Sequence, residues 1–127
     1  MVVLAIADAA SRQCYTRFLT DNGFTAAAAE TGAEALDITA RFLPEIVVVE
    51  LAHDGANTAR SLRAHALTGG VGIVALAPSA ADSHQQTAWD AECDVFLEAP
   101  CPPETLLTEL LVMLAILVPD SGAVVGP

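Results

Sequence analysis

There is no lysine in this chain of 127 residues, and none of its five arginines lies beyond position 63. Arg12, Arg17, Arg41, Arg60 and Arg63 stand against sixteen acids, for a formal charge of −11, and the eight acids after position 64 have no Lys or Arg among them. Such a surface repels phosphate backbones, which excludes direct nucleic-acid binding. Cysteine is scarce as well. Cys14, Cys93 and Cys101 are odd in number and lack CxxC spacing, so they read as reduced thiols of a cytosolic protein and not as a disulfide or zinc framework. His53, His65 and His84 are scattered and read as surface or helix residues. No apolar run is long enough to cross a bilayer, where roughly 20 residues are needed, and the longest is LLVMLAILVP. The opening MVVLAIADAA has no basic n-region and reaches Asp8 at once, so it reads as a strand and not a signal peptide. A cytoplasmic protein without membrane contact is expected.

What is present is an apolar content of 54% against 17% charged residues, far from the disordered regime and sufficient for one domain with a core. Short apolar runs alternate with helical-length segments, the pattern of βα units around a parallel sheet. Strands are predicted at 2–7, 24–29, 46–50, 71–76 and 94–97, and helices at about 10–22, 31–43, 56–67, 80–91 and 103–118. Gly23 suits a left-handed helix end. Thr31 with Glu34 forms a T-x-x-E capping pattern. IVVVE (46–50) is the clearest strand, because four β-branched residues without alternation indicate burial on both faces. Right-handed crossovers bring the strand C-termini to one edge, where Ala7-Asp8, Glu50, Ala77-Pro78 and Ala99-Pro100 converge. Open α/β sheets place their ligand chemistry at that edge.

Three stretches in this order, DNGFTAAAAETGAEAL, LPEIVVVEL and AWDAECDVFLEAPCPPETLL, resemble the receiver domains of two-component response regulators, over about residues 2 to 117. The resemblance implies a flavodoxin-like (βα)5 α/β fold: a three-layer sandwich with a five-stranded parallel sheet. A receiver-like domain would span 1–118, followed by a flexible C-terminal tail at 119–127. It also implies a phosphorylation site made of an acid pair that holds Mg²⁺, an acceptor aspartate, a hydroxyl residue and a lysine. The metal and the lysine neutralise charge on the transferring group.

This sequence departs from that set at nearly every position. Ala7 and Asp8 occupy the acid-pair positions, leaving one carboxylate, and Glu50 stands at the phosphoacceptor position. Ala77 stands where the hydroxyl belongs and Ala99 where the lysine belongs, and a chain without lysine admits no alignment that restores it. The reading is a degenerate pseudo-receiver that lacks the phosphorylation machinery, is not an enzyme and acts by protein–protein contact. As a nucleophile Glu50 is disfavoured, since one extra methylene spoils in-line geometry where about 1 Å of misplacement costs ~10²-fold. Three roles for it stay open. It imitates phosphoaspartate, although a phosphoryl group carries about −1.5 to −2 charge and three acceptor oxygens. It is a solvated carboxylate. Or, with Asp8, it binds Mg²⁺ or Ca²⁺ weakly, although no cofactor is expected.

Phe96 resembles the family's switch aromatic, which alanine at 77 would leave room to stay inward; the alternative is an ordinary core side chain. Glu92 replaces a usual Gly and is a candidate for left-handed backbone. The last helix, TLLTELLVMLAILV, is apolar nearly all round. Leu106, Leu110, Met113, Leu114 and Leu117 suffice for a core face, which turns Leu107, Leu111 and Val118 outward as an interaction face that Trp89 extends. Receivers commonly dimerise through the face of the fourth helix, fifth strand and fifth helix. The expected partner is therefore a second copy or another signalling protein, bound through the last helix and strand.

Two other classes compete. A surviving phosphorelay would use Asp54 or Asp8 as acceptor, against the lack of lysine. A small-molecule or enzyme role on the same scaffold finds little support: ELAHDGA lacks the surroundings of a corrinoid-type histidine at His53, and ADAAS has no Gly-rich phosphate loop.

Overall fold

A computed structural model describes residues 1–117, so Val118 and the tail at 119–127 lie outside the described residues. Strands β1 (Val2–Ala5), β2 (Ala26–Ala29), β3 (Ile46–Glu50), β4 (Gly72–Ala77) and β5 (Val95–Glu98) form one parallel sheet in the order β2-β1-β3-β4-β5. Helices α1 (Ala9–Asp21), α2 (Gly32–Phe42), α3 (Gly55–Ala64), α4 (Asp82–Asp90) and α5 (Pro103–Leu117) alternate with them. The result is the three-layer α/β sandwich expected from the sequence.

Side-chain alternation divides the core. Val3, Val47, Val49, Ile73 and Ala75 face α2, α3 and α4 with Ala35, Ala59, Leu62 and Ala88. Leu4, Ile6, Ile46, Val48, Val74 and Leu76 face α1 and α5 with Tyr15, Leu19, Leu106, Leu110 and Met113. Both faces of β3 are covered, which is why its sequence shows no polar alternation. Each fully buried Leu or Ile contributes roughly 1.5–3 kcal/mol, and these layers hold the helices against both faces of the sheet.

Local signals set the helix ends. The Asp8 carboxylate caps α1. Gly23 follows that helix with φ +91°, where glycine avoids the Cβ clash. The Thr31 hydroxyl accepts from the Glu34 N–H (3.1 Å), while the Glu34 carboxylate reaches back to the Glu30 N–H, one residue earlier than in the usual box. The third helix differs from expectation. A 3₁₀ turn (Leu51–His53) intervenes, and α3 stops at Ala64 because the Thr68 hydroxyl donates to the Leu62 carbonyl (2.7 Å) and His65 turns extended. Gly55 permits this tight entry, since a Cβ there would press into the Glu50 carbonyl.

At the N-terminal end of the sheet, Arg63 joins several segments. Its guanidinium donates to the carbonyls of Glu92 (3.0 Å), Gly69 (2.9 Å) and Val71, and pairs with Asp94 (2.8 Å). Asp94 in turn accepts from the Ile73 N–H (2.8 Å). Glu92 is left-handed at φ +60°, and its carbonyl is thereby tied to α3.

Candidate functional site at the C-terminal edge of the sheet

Glu50 ends β3 half-buried, and its Oε1 accepts from the Ala7 N–H at 2.8 Å. Ala7 lies in the connection from β1 to α1. Arg12, one turn into α1, donates to the carbonyls of Ile6 (2.9 Å) and Ala7 (3.1 Å) and meets Glu30 at 3.3 Å. The Ala7 residue is thus held at both ends: its N–H by Glu50, its carbonyl by Arg12. Glu50 has one carboxylate oxygen engaged by the backbone. It is a strut between β3 and the β1–α1 connection.

Asp8 is engaged by its own helix. Its Oδ2 accepts from the Ser11 N–H at 2.9 Å, and hydrogen bonding from Ser11 holds its carboxyl below the ordinary carboxylate range, with Arg12 adding a smaller pull. The two acids share an edge, but each spends an oxygen on a different backbone N–H. Among the described residues no three His, Cys, Asp or Glu side chains gather to hold a metal ion. The acid pair that the resemblance implies is reduced to one carboxylate, since Ala7 offers no side-chain oxygen, and Oδ2 of the remaining Asp8 caps α1.

A cleft of about 320 Å³ opens beside Glu50, lined by Ile6, Tyr15, His53, Ala77, Pro78 and Ala99 among others. Ala77 is buried and Ala99 half-buried, and they meet backbone to backbone, the Ala99 N–H donating to the Ala77 carbonyl (2.7 Å). The Ala99-Pro100 bond is cis. Methyl groups therefore line the cleft at positions 77 and 99.

Tyr15 was not singled out by its sequence, although its spacing from Leu19 puts it on the core face of α1. Its hydroxyl donates to the Cys101 carbonyl (2.6 Å) and accepts from the Cys101 N–H (3.2 Å), fastening the start of α5 to α1. Burial, reinforced by the Cys101 thiol, pushes its pKa up to about 12. His53, exposed on the 3₁₀ turn, stays at the cleft wall, whereas Asp54, exposed at φ +63°, is not among the cleft's lining residues and accepts from Asn57 (2.7 Å). Phe96 is half-buried against the α2–α4 side of the core, 6.4 Å from the Trp89 ring at 55°, and is not among the residues lining the cleft.

The surface of α5 differs in part from expectation. Leu106, Leu110 and Met113 are buried, and Leu114 is half-buried. Leu107, expected to point outward, is half-buried and packs on the α1/α5 side of the core. Each helical residue turns the side chain by about 100°, so Leu107 shares a flank with Leu114. The outward positions are Leu111, Val112 and Ile116, 54%, 51% and 72% exposed.

This strand order, with its loops gathered on one edge, is the CheY-like, flavodoxin-like architecture. The structure superposes on the chemotaxis response regulator CheY4 of Vibrio cholerae with a TM-score of 0.83, at 22% identity, over 89% of this chain and 97% of that one. For a CheY-like receiver domain protein from Methanospirillum hungatei the TM-score is 0.84 at 17% identity, over 94% and 96% of the two chains. No protein-family model matches the chain. In sequence it is 33% identical over 120 residues to the response regulator MprA of Mycolicibacterium vanbaalenii, covering 91% of this chain and 51% of that protein. With MprA of Mycobacterium leprae it is 32% identical over 128 residues, covering 97% and 55%. The chain spans about half the length of the relatives it matches. It has the receiver fold, and its sequence is similar to that of response regulators over nearly its whole length.

Proposed function

We propose that this chain is a receiver module of two-component signalling that works without phosphorylation and transmits through protein–protein contact. One observation carries the reading: the side chains offered to the cleft at positions 77 and 99 are methyl groups, in a chain with no lysine to replace them. Phosphoryl transfer places developing charge that needs a positioned cation and donors. The nearby cation, Arg12, already serves two carbonyls and Glu30. The contact from Glu50 to Ala7 favours a structural role for this acid over imitation of phosphoaspartate, because its charge is spent on the β1–α1 connection. Output then falls to surfaces, and the exposed apolar side chains of α5 support contact with a signalling protein or a second copy through the last helix and strand.

The test is an amide NMR titration with Mg²⁺ and then beryllofluoride, alongside intact mass after incubation with acetyl phosphate. Unchanged resonances at Asp8, Glu50 and Ala77 and an unchanged mass are expected. Shifts that need beryllofluoride and extend to Phe96, or a phosphoryl adduct on Asp8, Glu50 or Asp54, would overturn the reading.

A further inference from the structure

The surface of α5 has a charge as well as an apolar stripe, and the charge has one sign. Across α4, β5 and α5 the charged side chains are Asp82, Asp90, Glu98, Glu104 and Glu109, with no Arg or Lys among them. Asp94 and Arg63, at the other end of the sheet, neutralise one another. On the neighbouring layer, α1 carries Arg12, engaged at Ile6, Ala7 and Glu30, and Arg17, a single exposed cation. On α5 itself, Glu104 and Glu109 share the helix with Leu111, Val112 and Ile116, which stand half or more exposed on successive turns.

That combination discriminates between occupants. In a two-fold symmetric pair each copy presents the same patch to the other. Burial of the α5 stripe in such a pair would set one acidic surface against an identical one, without cations of that surface to offset it, and like charges juxtaposed at an interface are a strong bar to pairing. A helix with an apolar stripe and a Lys or Arg rim has the opposite property. Its side chains at i, i+3 or i+4 and i+7 meet Leu111, Val112 and Ile116 while its rim meets the acids.

Building on the proposed contact role, we infer that the partner docking on α5 is a basic amphipathic segment of another protein and not a second copy of this chain. The charge asymmetry is the selecting feature, and the apolar stripe supplies the anchor.

The experiment uses the whole chain at low ionic strength. Sedimentation equilibrium gives the oligomeric state, and amide NMR follows titration with two synthetic helical peptides that share a leucine stripe, one with a Lys rim and one with a Glu rim. A monomer is expected. The Lys peptide should shift α5 resonances and bind at least ~10-fold more tightly than the Glu peptide, with the advantage shrinking as salt rises. Ile116→Asp, checked for fold by circular dichroism, should weaken the Lys peptide by roughly tenfold, the scale of an anchor residue. A dimer whose interface is α5, equal binding of both peptides, shifts spread over the surface, or an Ile116→Asp variant that binds as well as the parent would each overturn the inference. Acetyl phosphate separates this result from the broader reading: a phosphoryl adduct sinks phosphorylation independence and leaves the peptide result standing.

Discussion

The two ends of the sheet are built on opposite plans. At the N-terminal end one guanidinium, that of Arg63, serves three carbonyls and a carboxylate, and joins α3, the approach to β4 and the approach to β5. At the C-terminal end, where α/β sheets conduct chemistry, the cleft is walled largely by alanine, proline and aliphatic side chains, with Glu50 turned back onto the Ala7 N–H. The cleft itself is poor in free polar groups, because Arg12 beside it is drawn to the carbonyls of Ile6 and Ala7 and to Glu30. An arrangement of this kind ties the scaffold together at its N-terminal end and leaves the cleft lined mostly by apolar side chains.

Removing the hub should have the largest consequence. Arg63→Ala strips donors from the carbonyls of Gly69, Val71 and Glu92, and is expected to lower unfolding free energy by about 2–4 kcal/mol in urea titrations, given ~1.5–3 kcal/mol for hydrogen bonds to a charged group and partial replacement by water. A cost under about 1 kcal/mol would erase the contrast between the ends. Gly55→Ala forces a methyl against the Glu50 carbonyl, and overpacking of that sort costs about 1–3 kcal/mol. It should also move the Ala7 amide resonance, because the shifted backbone carries the Glu50 side chain with it.

At the C-terminal end the expected effects are smaller. Glu50→Ala leaves the Ala7 N–H without its acceptor and should cost about 0.5–1.5 kcal/mol. Glu50→Gln keeps an acceptor oxygen in place and should stay closer to the parent in the same unfolding measurement. If the glutamine variant falls as far as the alanine one, the charge and not the strut is what matters there. The mildest test leaves the sequence alone. Tyr15 is the only tyrosine in the chain, so the tyrosinate absorbance reports it directly, with a midpoint expected near 12. Since the folded value lies above the ordinary 10.0, this contribution is complete below pH 10 and is lost as pH rises toward 12. Tyr15→Phe should flatten that decline.

Much of the scaffold was legible because its signals are local. The β3 strand begins and ends as its β-branched run predicts, Gly23 takes the left-handed turn, Thr31 caps α2, and Glu92 is left-handed. The departures arise where distant residues decide. Arg63 reaches Asp94 across 31 positions and Tyr15 reaches Cys101 across 86, and no periodicity marks either. The 3₁₀ turn after Glu50 depends on how closely Gly55 approaches it. On α5 nearly every position is apolar, so composition alone did not separate Leu107, which is half-buried, from Val112 and Ile116, which are not. The positions at the reactive edge were identifiable from sequence, but the use of Glu50 was not, since its acceptor bond joins two separate strands' ends.

The bond from Glu50 to Ala7 also bears on time. An acyl phosphate is a perishable mark: water removes it, and the interval before removal is the clock of any switch that relies on it. A carboxylate joined to the chain by carbon–carbon bonds has no such decay. If residue 50 sets the posture of this edge, the setting is written at synthesis and lasts as long as the polypeptide does. Erasure then requires proteolysis or dilution by growth, and the cell would govern this module by how many copies it makes.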